Sequence, residues 1–229
     1  MKGLHMLPKV IIHNMTSVDG RLDWFPVNME LFYGLIPMWQ EDATLAGADT
    51  LLAVPLEEAD ETQNEPSEPD QTSSDNTKPL LVVPDSKGRL RGHWHLWLKQ
   101  PYWRGGVALC SKSTPSEYYE YLKQHNIDWI TAGEDKVDLK AALEELGSRY
   151  GVKVVRADSG GRLNGALLRA GLVSEVSVLF SPYLVGGITP KSIFAAPDLE
   201  SEEGIIQLKL LAVETLDDSV VWVRYEVVK

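Results

Sequence analysis

Short apolar runs, each closed by a turn signal, alternate along most of this chain with stretches whose apolar residues fall three and four apart. Val10 to Ile12, Leu80 to Val83, Val107 to Ser111, Asp128 to Thr131, Val152 to Arg156 and Val176 to Phe180 read as buried strands. Residues 29–40 carry Leu31, Leu35, Met38 and Trp39 at helical spacing, weakened by Gly34 and Pro37. Ala43 to Val54 reads as a strand, a small-residue turn and a second short apolar piece. Thr114-Pro-Ser-Glu117 has the form of a capping box opening a helix that runs to about Gln124. Asp138 caps a clear amphipathic helix with Leu139, Ala142, Leu143, Leu146 and Tyr150 on one face.

Strands alternating with helices predict an α/β fold with a mostly parallel sheet flanked by helices. The ending departs from that pattern. Residues 205–213 and 220–228 read as two long strands joined by a turn at Leu216-Asp-Asp-Ser219, an antiparallel C-terminal hairpin. The second alternates cleanly between apolar and polar positions, which suggests a place near a sheet edge.

Composition changes this picture little. The formal charge of −11 is largely local, because Glu57 to Lys78 holds eight acidic residues against one lysine, contributing −7 and leaving −4 elsewhere. That stretch, residues 57–78, has almost no apolar residue and reads as a mobile surface loop in an otherwise single domain spanning 7–229. No basic cluster tracks a nucleic-acid backbone, and no apolar run of eighteen residues points to a membrane. With one cysteine, Cys110, there is neither an intrachain disulfide nor a cysteine-rich zinc site. His93 and His95 lack a third ligand at sensible spacing, so no metal is expected. A cytoplasmic protein acting on a small molecule is the resulting expectation.

Four places carry candidate chemistry. Asp158-Ser-Gly160-Gly161-Arg162-Leu163-Asn164 joins a strand to a helix. There, adjacent glycines let backbone N–H groups approach a ligand, and the helix N-terminus favours a phosphate; plain turn geometry is the alternative. Ser17-Val-Asp19-Gly20 puts a carboxylate at a strand's C-terminal end, facing the crevice of an open sheet or simply making an Asp-Gly turn. Ala46-Gly-Ala-Asp-Thr50 offers a hydroxyl in a small-residue turn. Lys112, just past a strand, is either a solvated lysine or a phosphate partner. Reduction of an imine or carbonyl needs a group to orient the polar substrate and a proton source, and Asp19 and Asp158 are the two carboxylates at crevice-facing strand ends.

The string from Asp158 through Leu167-Leu-Arg-Ala-Gly-Leu-Val-Ser-Glu175 resembles the riboflavin-biosynthesis pyrimidine reductase family, the C-terminal reductase domain of RibD, within the dihydrofolate-reductase-like superfamily. Ser17-Val-Asp19-Gly20-Arg21 and Val83-Pro-Asp-Ser86 are similar to further segments of it. The resemblance implies an NADPH-dependent reductase, of the 5-amino-6-(5-phosphoribosylamino)uracil reductase kind, with a dihydrofolate-reductase-like fold. Hydride would pass to the ribosyl C1′ of a ribosylamino-pyrimidine 5′-phosphate.

Residue roles follow from the same likeness. Gly160, Gly161, Arg162, Leu163 and Asn164 would cradle the cofactor diphosphate, with Met15, Thr50 and Ser86 as further cofactor contacts. Asp19 and Asp158 would face the substrate, Asp158 standing where the family usually has a glutamate one methylene longer. A homodimer, through the C-terminal strands, is implied as well. Two arginines expected to bind the ribosyl phosphate are missing, with Arg21, Arg89, Arg91 or Arg162 as substitutes. The alternatives are a related reductase of a pteridine or small carbonyl compound, and a non-catalytic NADPH-binding protein.

Overall fold

The structure of the chain, a computed structural model, describes residues 7–54, 77–188 and 191–229. Apart from Thr77 and Lys78, the acidic loop expected at 57–78 lies outside the described residues. In chain order the first elements are β1 (Lys9–Ser17), α1 (Met29–Gly34), β2 (Ala43–Ala46), α2 (Ala48–Ala53), β3 (Leu80–Pro84), α3 (Trp94–Leu98) and β4 (Gly105–Cys110). They continue as α4 (Ser116–Gln124), β5 (Asp128–Thr131), α5 (Leu139–Tyr150), β6 (Val154–Asp158), α6 (Gly161–Arg169), β7 (Val173–Ser181), β8 (Leu208–Thr215) and β9 (Val221–Val227). The described chain divides into two compact units, Asp42–Val152 and Pro8–Glu41 with Lys153–Lys229.

In the unit Asp42–Val152 four parallel strands run in the order β5-β4-β3-β2. Leu81, Val83, Ala108 and Cys110 pack against Ala48 and Leu51 of α2, Trp94 of α3 and Tyr118, Tyr121 and Leu122 of α4. Their neighbours Val82, Val107 and Leu109 are buried too, so these strands are apolar on both faces, as parallel strands covered on both sides require. Cys110 is a buried core thiol, and burial pushes its pKa up to about 12, which leaves it inert.

Local signals explain the helix ends. The Asp138 carboxylate accepts the Ala141 N–H at 3.1 Å, and Gly151, at φ 68°, closes α5 in the left-handed region. The capping box expected at Thr114 is not formed. The Thr114 Oγ1 instead accepts the Ser111 N–H at 3.0 Å, and α4 begins at Ser116 behind Pro115.

In the other unit the strand order is β6-β1-β7-β9-β8. β1 runs parallel to both β6 and β7, whereas β9 is antiparallel to β7 and to β8. A mostly parallel α/β architecture with an antiparallel C-terminal hairpin is therefore what the chain forms. The second hairpin strand lies near the edge, as expected: β9 sits between β7 and β8, and β8 pairs with β9 alone among the described residues. One face of this unit is cored by Ile11, Met15, Phe32, Trp39, Leu179, Val220 and Trp222. The helical stretch expected at 29–40 breaks, since Pro37 stands in the opening positions of a separate 3-10 turn, Ile36–Trp39, after α1.

Candidate active site

β6 ends at Asp158, and Ser159 and Gly160 turn the chain directly into α6. Gly160 is the N-cap residue, and no side chain caps the helix, so the first-turn N–H groups lack a side-chain acceptor. A Cβ added at Gly160 would meet nothing within 4 Å. An open, positively polarised helix start of this kind fits a diphosphate, which a β-carbon there would crowd. Arg162, in that first turn, is exposed, and its guanidinium makes no hydrogen bond or ion pair among the described residues.

Gly161 does something else. A Cβ there would lie 2.2 Å from the Ser192 carbonyl oxygen, and the Gly161 carbonyl already accepts the Ala195 N–H at 2.9 Å. Gly165, one turn on, is equally tight against Ala195. These two glycines let the segment 192–195 lie flat on α6, so the pair Gly160-Gly161 splits into one ligand-facing and one packing residue.

Asn164 is fully buried and brackets several segments. Its Nδ2 donates to Asn14 Oδ1 at 2.8 Å, to the Ser159 carbonyl at 3.2 Å and to the Ile193 carbonyl at 3.0 Å. Asn14 in turn donates to the Ser159 carbonyl at 3.0 Å. The ends of β1 and β6, α6 and the segment after Gly187 are thereby tied at one point. The resemblance gives Asn164 as a phosphate contact; in the structure its side-chain amide is turned to these three acceptors. Met15, given as a cofactor contact, has its side chain in the apolar core. Strand alternation sends Met15 one way and Asn14 the other.

Asp158 belongs to a charged cluster. The Arg156 guanidinium donates through Nε and Nη2 to both Glu41 oxygens, at 2.6 and 3.2 Å, and through Nη1 to Asp158 Oδ2 at 2.9 Å. Arg156 and Glu41 are 2% and 8% exposed, against 27% for Asp158. Burial works against the guanidinium charge, but the carboxylates of Asp158 and Glu41 outweigh it and hold its pKa above the ordinary value. Asp158 Oδ1 has no hydrogen bond among the described residues. Neither Arg156 nor Glu41 was singled out from the sequence; the signal was a lone charge inside the apolar run Val154-Val-Arg-Ala157.

Asp19 is spent on a loop. Its Oδ1 accepts from Ser17 Oγ at 2.6 Å and from the Val185 N–H at 3.1 Å, and its Oδ2 accepts the Gly186 N–H at 2.6 Å. These bonds, that of Ser17 first, hold its pKa down at about 2. A carboxylate so held is an anion throughout the physiological range and has no proton to give. The geometry makes it the clamp on the loop after β7, where Gly186 and Gly187 take φ 73° and 96°.

In the unit Asp42–Val152, Thr50 lies half-buried in the first turn of α2, where the notional small-residue turn is helical. Ser86 is half-buried just past β3. Beside it, the buried Asp85 accepts the Arg89 and Leu90 N–H groups at 3.0 and 2.8 Å and shapes the turn. Lys112 is paired with Glu134 at 2.6 Å, and Arg89 with Asp49 at 2.7 Å. Among the described residues no group of three or more His, Cys, Asp or Glu side chains comes together as a metal site, and no helix is long and apolar enough to cross a membrane. His93 and His95 lie at the start of α3.

Similarity to known proteins agrees with this geometry. The chain is 30% identical over 228 residues to the 2,5-diamino-6-ribosylamino-4(3H)-pyrimidinone 5′-phosphate reductase of Methanothermobacter thermautotrophicus, covering 97% of this chain and 99% of that one. Its fold is similar to that of a Saccharomyces cerevisiae riboflavin biosynthesis reductase, with a TM-score of 0.66 at 16% identity over 100% of this chain and 93% of that one. It is similar also to Acinetobacter baumannii RibD, with a TM-score of 0.66 at 20% identity; 97% of this chain is covered, but it spans only 58% of that longer one. Residues 37–222 match the RibD C-terminal domain, and the chain belongs to that family.

Proposed function

We propose that this chain is a nicotinamide-dependent reductase of riboflavin biosynthesis, acting on a ribosylamino-pyrimidine 5′-phosphate, with residues 7–229 as its reductase domain. The observation that carries this reading is the end-to-end similarity to a 2,5-diamino-6-ribosylamino-4(3H)-pyrimidinone 5′-phosphate reductase. We take NADPH as the reductant, as the sequence resemblance implies, and when bound it supplies the hydride that reduces the ribosyl carbon.

The chain's own residues bind and orient. The N–H groups of the first turn of α6, opened by Gly160, hold the cofactor diphosphate, and Arg162 adds a positive charge to them. Leu163, half-buried in the same turn, lines that approach. Thr50 and Ser86 are the proposed cofactor contacts of the unit Asp42–Val152. Asp158 accepts a substrate hydrogen bond at Oδ1, and Asp19, through the Val185 and Gly186 N–H groups, keeps the neighbouring loop in place. A biosynthetic enzyme of this kind works in the cytoplasm.

The protein acts as a homodimer joined at β8. This strand is rich in exposed apolar side chains (Leu208, Leu210, Leu211 and Val213) and has one free edge among the described residues. Exposed apolar edges of this sort are covered in natural proteins, and a second copy of the same strand covers this one by two-fold pairing.

Turnover decides the reading. The purified chain should oxidise NADPH in the presence of the diaminopyrimidinone phosphate and yield the ribityl product. Cofactor binding with turnover only of a pteridine or a small carbonyl would move the substrate, and binding with no turnover at all would make this a non-catalytic nucleotide-binding protein. Comparing the affinities for NADPH and NADH settles which reductant is used.

A further inference from the structure

We infer that Arg156 is a positioning residue for Asp158: anchored by Glu41, it holds that carboxylate in the one orientation that leaves Oδ1 open to substrate. The inference rests on the proposed reductase function, within which it assigns a role to a buried ion cluster. Residues 156 and 158 are two apart on β6 and so project from the same face. The guanidinium is itself immobile, gripped at two points by Glu41, and its Nη1 points along the strand at Asp158 Oδ2.

Stability does not account for the arrangement. A charge 2% exposed inside an apolar strand loses hydration that its partners repay only in part, and an apolar residue of similar size usually serves a strand interior as well or better. The cluster is also asymmetric. Glu41 is buried with Arg156, whereas Asp158 keeps 27% exposure and one oxygen without a hydrogen bond among the described residues. A strand-end aspartate without such a partner would sample several rotamers. The carboxylate thus fixed stands two residues before Gly160, where α6 opens to a ligand.

The test compares kcat and KM for the pyrimidine phosphate in wild type, Arg156→Met, Arg156→Lys, Asp158→Asn and the double variant Arg156→Met/Asp158→Asn, with folding checked by circular dichroism. Because a misplaced functional group can cost up to about 100-fold in rate, Arg156→Met should lower kcat at least about tenfold with little change in KM. Arg156→Lys should recover part of that loss. In the Asp158→Asn background the Arg156 change should cost less than about twofold more, since neighbouring sites acting as one unit are not additive.

A folded Arg156→Met variant with wild-type kcat and KM would overturn the inference, as would equal losses with and without Asp158. If Arg156→Met fails to fold because the buried Glu41 loses its guanidinium counter-charge, Arg156→Met/Glu41→Gln removes both charges and is judged by the same criteria. If the wild-type chain reduces no such pyrimidine, the functional reading fails on its own. Positioning is then decided by the crystal structure of the Arg156→Met/Glu41→Gln variant: a displaced Asp158 carboxylate supports it and an unmoved one overturns it.

Discussion

Gly160 and Gly161 are adjacent, yet they should respond to substitution in opposite ways. Valine at 160 meets no protein atom at its Cβ, so Gly160→Val should fold normally and bind NADPH at least about tenfold more weakly, a loss of about 1.4 kcal/mol. Alanine at 161 drives a methyl group into the Ser192 carbonyl, so Gly161→Ala should cost about 1–3 kcal/mol of stability, as overpacking typically does. Calorimetric titration with thermal melts separates the two; weaker binding by Gly161→Ala alone would reverse the assignment.

A second residue-scale prediction concerns His13. Burial pushes its pKa down to about 4, opposed in part by the bond from Nε2 to the Phe32 carbonyl at 3.2 Å. That carbonyl can only accept, so Nε2 carries the proton and Nδ1 accepts from Ser177 Oγ at 2.9 Å, while Trp222 Nε1 donates to the same hydroxyl. The unfolded imidazole takes up a proton near pH 6.5 that the folded one refuses until about pH 4. Stability is therefore full above pH 6.5 and falls as pH drops towards 4, by about 3 kcal/mol from this group. His13→Gln should flatten that part of the stability curve in denaturant titrations at stepped pH. Parallel curves for the two proteins would refute the assignment.

The residue scale is also where the sequence is least transparent. The Gly-Gly pair marks the helix start, but which glycine faces a ligand depends on Ser192 and Ala195, some thirty residues away. Asn164 reads as a phosphate contact until the carbonyls of Ser159 and Ile193 claim its amide. Asp19 looks like a free carboxylate because Val185 and Gly186, which occupy it, are distant in sequence. Local pattern identifies residue types and strand ends; long-range hydrogen bonds assign them.

At the scale of elements, β6, its turn and α6 form the proposed cofactor and substrate site, and the segment 192–195 depends on the bare faces of Gly161 and Gly165. Strands were the most legible elements, because buried parallel strands are short continuous apolar runs. The hairpin was legible too, with its second strand near the sheet edge. The consecutive Trp222 and Val223 of β9 are both buried, one on each face, and β8, apolar at its exposed positions, is the outer strand. The apolar exposure of β8 predicts that Leu210→Lys combined with Val213→Lys converts a dimer to a monomer in size-exclusion chromatography with light scattering. A wild-type monomer, or an unchanged dimer in the variant, would remove β8 as the joining strand. α3 escaped notice because Trp94 to Leu98 is too short to show a period.

At the scale of the molecule, membership in the RibD C-terminal domain family and the open start of α6 point to the same chemistry. The missing phosphate-binding arginines remain the strongest departure from the resemblance. Arg21 is mostly buried near Asp23 and Arg89 is paired with Asp49, which leaves Arg91 and the exposed Arg162 as cations without a recorded side-chain partner among the described residues. The most direct test of the central claim is NADPH oxidation followed at 340 nm with 2,5-diamino-6-ribosylamino-4(3H)-pyrimidinone 5′-phosphate, with the product identified by mass. The account predicts one cofactor oxidised per ribityl product formed, abolished or strongly reduced in Gly160→Val. Saturable NADPH binding with no oxidation, or turnover unaffected by Gly160→Val, would contradict it.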